Sequence, residues 1–242
     1  MTVGRGTGGA GAPDKRLAYL GTLAGGLAHE IKNPLSTILI NLALLREDLG
    51  ADASQGRHLR RIRLLEREVR RLEEIVQDFL RLTRGYDLHP EPTDLNALLR
   101  ELLEFIEPEA KKERVAIREF LDPALPRVTL DRQAIRQVFL NLLVNARQAM
   151  PSGGDLIVRT AADGEHALVE VTDTGVGMSP EVLERCFDAY FSTKKGGTGL
   201  GLPTARRILE EHSGSIEVRS EPGRGTKFTV CLPVKGPSEK GG

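Results

Sequence analysis

Apolar and small residues recur at alternating steps of four and three residues near the start of the chain. The series contains Leu17, Gly21, Ala24, Ala28, Ile31, Leu35, Ile38, Leu42, Leu45 and Leu49. This is the heptad spacing of a helix that packs lengthwise against other helices, and it predicts a helix over residues 14–49. A second series predicts a helix over residues 57–83 and contains Ile62, Leu65, Val69, Leu72, Val76 and Phe79.

The turn predicted between these helices, at residues 50–56, is short. The two helices should therefore form an antiparallel hairpin. One hairpin cannot bury both apolar seams, so we expect two chains to pair as a dimeric four-helix bundle. The hairpin thus predicts a homodimer.

Residues 85–92 contain a glycine and two prolines, and after them the pattern becomes mixed α/β. Helices are predicted over 94–106, 131–150, 180–185 and 202–212, and strands over 115–121, 156–160, 167–173, 215–220 and 226–232. Hairpins dominate this order, so the sheet should be mixed and backed by helices on one face. The predicted fold class is α + α/β. A flexible arm (1–13) precedes the helical-hairpin domain (14–86), and an α/β sandwich (92–235) precedes a flexible tail (236–242).

Composition narrows the function classes. The 34 basic and 34 acidic residues give no net charge, so no overall field favours nucleic acid or an anionic membrane. The best candidate for a membrane span, residues 35–45, is short and interrupted by polar residues. Cys186 and Cys231 are far apart, which favours reduced thiols over a disulfide. These features predict a cytoplasmic chain without nucleic-acid binding or membrane insertion.

His29 directly follows the seam position Ala28, so its side chain should point away from the seam. Pro34 lies in the same periodic run and removes a helical hydrogen bond, which predicts a local bend beside the histidine. A carboxylate such as Glu30 can hold one ring N–H and leave the other nitrogen nucleophilic. A lone helical histidine is more often a surface residue, so the remaining motifs decide its interpretation.

Asn141 and Asn145 are four residues apart in a predicted helix, so both amides should share one face. Asparagine is costly to bury without a partner, and an amide oxygen is a hard neutral donor that Mg²⁺ accepts. The pair therefore indicates ligand contacts. A polar network tying the helix to a loop is the alternative.

Asp173 follows a predicted strand, and Gly175 and Gly177 follow Asp173. A carboxylate at the end of a strand can accept a hydrogen bond from the amino group of adenine. Glycine lets the backbone approach a flat ring closely. Taken alone, this pattern is also that of an ordinary tight turn.

Residues 191–201 are rich in glycine, contain Lys194 and Lys195, and lead into a predicted helix. Free N–H groups and the positive end of the helix dipole would favour phosphate there. The spacing of Gly197, Gly199 and Gly201 matches neither a Walker loop nor a dinucleotide fingerprint. A flexible surface loop is the alternative.

Together these stretches resemble the motifs of two-component sensor histidine kinases. The His-Glu-Ile-Lys-Asn-Pro stretch at 29–34 is similar to their H box, residues 141–145 to the N box, and 173–177 to the first glycine box. Residues 186–194 resemble the F box, and 197–201 the second glycine box. The five motifs occur in the family's order, and Phe-Ser-Thr-Lys at 191–194 resembles the nitrogen-regulation-like soluble branch.

The resemblance implies a dimerisation and phosphoacceptor bundle followed by an ATP-binding sandwich of the GHKL ATPase type. It implies that His29 accepts the γ-phosphoryl group of ATP and that Glu30 holds the opposite ring N–H and serves as base. Phosphohistidine is labile, so the phosphoryl group should pass to an aspartate of a response regulator receiver domain. Asn33 would orient a water that dephosphorylates that regulator.

In the nucleotide site, the resemblance implies ATP and Mg²⁺ as cofactors. Asn145 would bind Mg²⁺ with Asn141 beside it, Asp173 would select adenine, and Lys194 would contact phosphate. Gly175 and Gly177 would shape the adenine pocket. A closing lid would consist of Gly197, Thr198, Gly199, Leu200 and Gly201.

Two other functions stay open. A GHKL ATPase of the gyrase or mismatch-repair type shares the asparagine, aspartate and glycine motifs, but the His-Glu-x-x-Asn-Pro helix has no purpose there. A catalytically silent dimeric scaffold is disfavoured because His29, Asn145, Asp173 and Lys194 are all present.

Overall fold

The computed structural model of the protein describes residues 31–32, 34–45, 58, 60–69, 72, 88–194 and 198–235. The chain divides into two compact units, Met1–Arg84 and Gly85–Gly242. The domain limits at 14–86 and 92–235 stay predictions. The predicted arm at 1–13, the turn at 50–56 and the tail at 236–242 lie outside the described residues.

Every described residue of the first unit is helical, within the limits of the two predicted helices. Pro34 is itself helical. Ser36 Oγ donates to the carbonyl of Lys32 at 2.8 Å, so this polar side chain bonds to its own helix. The seam residues Leu35 and Leu42 are 44% and 48% exposed in a single chain. The apolar seam therefore presents exposed surface in one chain.

The second unit contains a mixed sheet of five strands in the order β2-β4-β5-β7-β6. These strands are β2 (Val115–Phe120), β4 (Gly154–Asp163), β5 (His166–Asp173), β6 (Ser215–Glu221) and β7 (Gly225–Pro233). β2 and β4 are parallel, and the other pairs are antiparallel. The predicted mixed sheet of hairpins is confirmed.

Among the described residues of this unit, four helices accompany the sheet: α1 (Leu95–Lys112), α2 (Arg132–Gln148), α3 (Pro180–Arg185) and α4 (Gly201–Glu211). The helix α2 packs against α1, α4 and β5. Alternate residues of β5 are buried, as a sheet with one covered face requires. The core between sheet and helices includes Leu98, Leu102, Phe139, Leu142, Val169 and Val230.

Helix α2 begins where the sequence predicts, because Asp131 caps it: one carboxylate oxygen accepts from Ala134 N at 2.9 Å. The prediction that α1 ends at residue 106 is wrong, since the helix continues through Pro108. Pro108 is exposed, and solvent can satisfy the carbonyl whose partner it removes. Ala110, only 1% exposed, holds the extra turn against the core.

A second sheet was not expected from the sequence. The strands β1 (Glu91–Thr93) and β3 (Val128–Leu130) pair antiparallel. Each has three residues, too few to show an alternating pattern, and β1 falls partly in the stretch predicted as a linker. This second unit therefore begins its regular structure before its first helix.

His212 ties the end of α4 to the start of α2. It is 1% exposed, and its Nε2 lies 3.0 Å from the N–H of Asp131, which can only donate. Nδ1 lies 2.7 Å from the carbonyl of Ile208, which can only accept. His212 is therefore the neutral tautomer with hydrogen on Nδ1.

Candidate functional site

A cleft of about 450 Å³ lies beside α2, the end of β5, the segment leading into α4 and the start of β7. Eight of the candidate residues predicted from the sequence line it: Asn141, Asn145, Asp173, Gly177, Lys194, Thr198, Gly199 and Gly201. Motifs far apart in sequence therefore meet in one cleft. Gly175 and Leu200 are not among the lining residues. His29, Glu30, Asn33 and Gly197 lie outside the described residues.

At one end of the cleft, an ammonium group lies among amide oxygens. Lys194 Nζ donates to Asn145 Oδ1 at 2.9 Å and to Gln148 Oε1 at 2.8 Å. Desolvation lowers the pKa of Lys194, and the negative charge of Asp173 acts in the opposite direction. This end of the cleft is therefore built to hold a cation beside neutral oxygens.

Gln148 was missed from the sequence, although it lies three residues after Asn145 on the same helix. Residues three and four positions apart share a helix face. Gln148 therefore continues the polar face of Asn141 and Asn145, and this was the sequence feature that could have identified it.

Asn141 ties α2 to α4, since its Nδ2 donates to the carbonyl of Gly201 at 3.0 Å. This is the polar network named above as the alternative to ligand binding. It holds the first residue of α4 at the edge of the cleft. The N-cap residue of α4 is Leu200, and no side chain caps the helix. Its first N–H groups are therefore available to an anion.

Asp173 ends β5 and is only 3% exposed. One carboxylate oxygen accepts from Gly175 N at 2.9 Å. Burial raises the pKa of Asp173, while the N–H groups of Gly175 and Thr226 and the charge of Lys194 oppose that rise. The cleft therefore contains a desolvated carboxyl with capacity for another donor.

The glycines after Asp173 are required by the packing of the protein backbone. A Cβ on Gly175 would lie 2.3 Å from the carbonyl oxygen of Ala149. Gly177 has φ +67°, and its Cβ would lie 2.0 Å from the carbonyl oxygen of Glu221. The turn at residues 173–178 thus fits directly against the end of α2 and the β6–β7 hairpin. Close approach to a flat ring, the reason given from the sequence, stays a prediction.

No role in the cleft was predicted for its apolar lining residues, although Val176 and Cys186 lie within two of the motifs quoted from the sequence. This lining includes Val176, Met178, Val182, Cys186 and Phe228. Val176 is 59% exposed at the cleft. Burial raises the pKa of Cys186 to about 11, so this thiol stays protonated at neutral pH.

The described residues contain no group of three His, Cys, Asp or Glu side chains arranged to hold a metal ion. A cation in the cleft would rely on amide oxygens and on its own ligands. Asn145 and Gln148 already place two such oxygens around the Lys194 ammonium, and this donor set suits a hard cation. Mg²⁺, which keeps waters and phosphate oxygens as ligands, fits these residues.

In the described ranges, no helix has the length and apolar character needed to cross a bilayer.

Two family descriptions match the chain. "His Kinase A (phospho-acceptor) domain" matches residues 19–85, and "Histidine kinase-, DNA gyrase B-, and HSP90-like ATPase" matches residues 130–236. Sensor histidine kinase ZraS of Escherichia coli (strain K12) is 36% identical over 91% of this chain and 47% of its own length. The chain thus spans about half the length of this curated relative.

Two solved structures are also similar. The catalytic domain of histidine kinase ThkA is 30% identical, with a TM-score of 0.56 over 62% of this chain and 97% of that domain. ThkA in complex with the response regulator protein TrrA is 28% identical, with a TM-score of 0.76 over 92% of this chain and 64% of that chain. The helical first unit and the mixed α/β second unit therefore have solved counterparts.

Proposed function

This chain belongs to the two-component sensor histidine kinases, and we propose that it transfers the γ-phosphoryl group of ATP to His29 and then to an aspartate of a response regulator receiver domain. The observation that supports this most strongly is the composition of the cleft. A buried carboxyl lies in the same cleft as an ammonium, two amide oxygens and an uncapped helix start. Such a site can recognise a base and a polyphosphate together.

Asp173 would recognise adenine. An ionised carboxylate is only an acceptor, so it pairs with the N6 amino group of adenine and repels the O6 oxygen of guanine. The carboxylate is desolvated, and a hydrogen bond to a charged acceptor in such surroundings is stronger than one in water.

Lys194, Asn145 and Gln148 would receive the phosphate end of ATP. Mg²⁺, when bound, supplies positive charge that neutralises the phosphates. Asn145 would hold it through Oδ1, the atom that now accepts from Lys194. Lys194 would then leave Asn145 and donate to phosphate oxygens. Nucleotide binding would thus exchange one cation for another at Asn145.

The segment at 197–201 would close over the nucleotide. Gly199 has φ +66°, and its carbonyl accepts from Tyr190 N at 3.1 Å. Thr198 lines the cleft beside it. The uncapped N–H groups of α4 would donate to phosphate. Lys194 lies three residues before this segment. Its release from Asn145 would therefore change the position of the chain that leads into the lid.

In the first unit, the proposal assigns His29 as phosphoacceptor, Glu30 as its base and Asn33 as the residue that orients water for dephosphorylation. It also assigns the exposed seam residues to a homodimer, because a second hairpin would cover Leu35 and Leu42. The response regulator partner, the cytoplasmic location and the nitrogen-regulation-like branch predicted from the sequence belong to the same proposal.

The test uses γ-labelled ATP with Mg²⁺, and compares the unaltered chain with His29→Ala and His166→Ala. His166 is exposed at the start of β5 and serves as the matched control. We expect label on the unaltered chain and on His166→Ala, none on His29→Ala, and a label that acid removes and base does not. ATP turnover without protein labelling would replace the proposal with the GHKL ATPase, and binding without either reaction would replace it with the scaffold.

A further inference from the structure

One hydroxyl group joins the turn at residues 173–178 to the β6–β7 hairpin. Ser220 Oγ lies 2.8 Å from Met178 N, 3.0 Å from the carbonyl oxygen of Gly225 and 2.9 Å from Thr226 Oγ1. Met178 and Thr226 line the cleft, whereas Ser220 is not among the lining residues. Ser220 is therefore placed to act on the cleft through its neighbours.

The direction of each hydrogen bond follows from what each partner can do. The N–H of Met178 can only donate, so it occupies one lone pair of Ser220 Oγ. The carbonyl of Gly225 can only accept, so it receives the single hydroxyl hydrogen of Ser220. The remaining contact must then run from the hydroxyl hydrogen of Thr226 to the second lone pair of Ser220.

This arrangement leaves Thr226 Oγ1 with lone pairs only. Thr226 is 6% exposed and lines the cleft together with Asp173. Thr226 is the cross-strand partner of Asp173 in the pairing of β5 with β7, so the two residues are direct neighbours. The base-facing side of the cleft therefore offers two acceptors, a carboxylate and a hydroxyl oxygen.

We propose that Ser220 is a positioning residue for nucleobase selection: by accepting the hydroxyl hydrogen of Thr226, it makes the base-facing side of the cleft an acceptor-only surface that favours adenine over guanine. This inference rests on the proposed function, because it concerns the base of the same nucleotide. An acceptor-only surface suits the exocyclic amino group at C6 of adenine, which can donate one hydrogen to Asp173 and the other to Thr226. It opposes guanine O6, which is also an acceptor. Without Ser220, the Thr226 hydroxyl would be free to turn and donate to O6.

Backbone contacts near Ser220 hold the β6–β7 hairpin against the turn at residues 173–178. Gly223 N donates to the carbonyl of Val176 at 2.8 Å, so a second hydrogen bond joins the same turn and hairpin. A Cβ on Gly225 would lie 1.9 Å from the carbonyl oxygen of Asp173. The hairpin thus keeps its place against the turn through contacts that Ser220→Ala leaves unchanged.

The test measures affinity for the nonhydrolysable analogues of ATP and GTP by calorimetry, with Mg²⁺, on the full chain. The variants are Ser220→Ala and Ser215→Ala, and Ser215 is the exposed first residue of the same strand. We expect the ratio of GTP-analogue to ATP-analogue dissociation constants to fall about tenfold in Ser220→Ala. Ser215→Ala should keep the ratio of the unaltered chain. An equal ratio in both variants, or equal weakening of both analogues in Ser220→Ala, would overturn the inference.

Thr226→Val provides a second route if Ser220→Ala does not fold. It keeps the contacts of Ser220 with Met178 and Gly225 and removes only the oriented acceptor. We expect the ratio to fall here too, by less than in Ser220→Ala because valine cannot donate to guanine O6, and an unchanged ratio would also overturn the inference. Failure of the unaltered chain to bind either analogue would instead reject the proposed function.

Discussion

Replacing Asp173 with asparagine changes an acceptor-only side chain into one with a donor and an acceptor, at nearly constant shape. In the nucleotide-free protein, one carboxylate oxygen accepts from Gly175 N at 2.9 Å. If the amide oxygen of the Asp173→Asn variant keeps that contact, the new NH₂ group faces the cleft and meets the adenine amino group. If the amide turns, its NH₂ group faces the N–H of Gly175. Either orientation loses one hydrogen bond.

The magnitude follows from the charge of the lost acceptor. A hydrogen bond to a charged group contributes about 1.5–3 kcal/mol. Its loss should raise the dissociation constant roughly 10- to 150-fold. Calorimetry with ADP or a nonhydrolysable ATP analogue measures it. The control is Asp155→Asn, because Asp155 pairs with Arg118 at 2.8 Å on the exposed side of the sheet. Unchanged affinity in Asp173→Asn would remove Asp173 from the base contact.

The pH dependence has a definite sign. Burial raises the pKa of Asp173 in the folded protein above its ordinary value. Acidification therefore protonates this carboxyl at a higher pH than an ordinary aspartate, and the affinity for ATP should fall as the pH drops through that raised pKa. The same shift means that the folded state holds the proton more tightly than the unfolded state. The contribution of Asp173 to the stability of the nucleotide-free protein is thus present at low pH and is lost as the pH rises.

Three further substitutions test the second unit. Thr204 is 1% exposed and its Oγ1 has no hydrogen-bond partner among the described residues, so Thr204→Val should stabilise the protein by about 1 kcal/mol and raise the melting temperature by a few degrees. His212→Leu removes the acceptor 3.0 Å from Asp131 N and the donor to a helix carbonyl, and should cost about 3 kcal/mol. Gly177→Ala places a Cβ 2.0 Å from the carbonyl oxygen of Glu221, and should weaken both stability and nucleotide affinity. Thermal unfolding measures all three, with calorimetry added for the last.

Each of these substitutions has a matched control. Thr160→Val removes a buried hydroxyl that donates to Asn96 at 2.9 Å and accepts from Asp122 N at 2.8 Å, so it should destabilise the protein where Thr204→Val stabilises it. His166→Ala, at an exposed position, should leave the melting temperature unchanged. Gly164→Ala has a similar positive φ of +60° with nothing within 4 Å of the new Cβ, so it isolates the backbone cost. Equal effects within any pair would contradict the assigned cause.

The sequence predicts most of this architecture where local chemistry is strong. Asp131 specifies the start of α2, and α3 is observed with its predicted limits. The motif residues from Asn141 to Gly201 that line the cleft were also predicted, although their ligand contacts stay predictions. Local pattern fails where tertiary packing decides. The extra turn of α1 after Pro108 depends on the burial of Ala110.

Other site residues carry a weak local signal or none. Ser220 lies in an ordinary alternating strand, and its partner Met178 is 42 residues away. Gln148 shares a helix face with Asn145, but its contact with Lys194 is visible only in the structure. The role of a single hydroxyl or amide group depends on the partners that the fold brings to it. Residue spacing along one helix or strand does not reveal those partners.

The order of the strands also affects how this unit is made during synthesis. β7 leaves the ribosome after the other four strands of its sheet, yet it lies inside that sheet, between β5 and β6. Until residues 225–233 emerge, β5 has an open edge, and the contacts of Ser220 with Gly225 and Thr226 cannot form. The proposed adenine pocket would therefore be among the last features of this unit to form, so a nascent chain would contain the helices of its first unit, with the proposed phosphoacceptor His29, well before that pocket was complete.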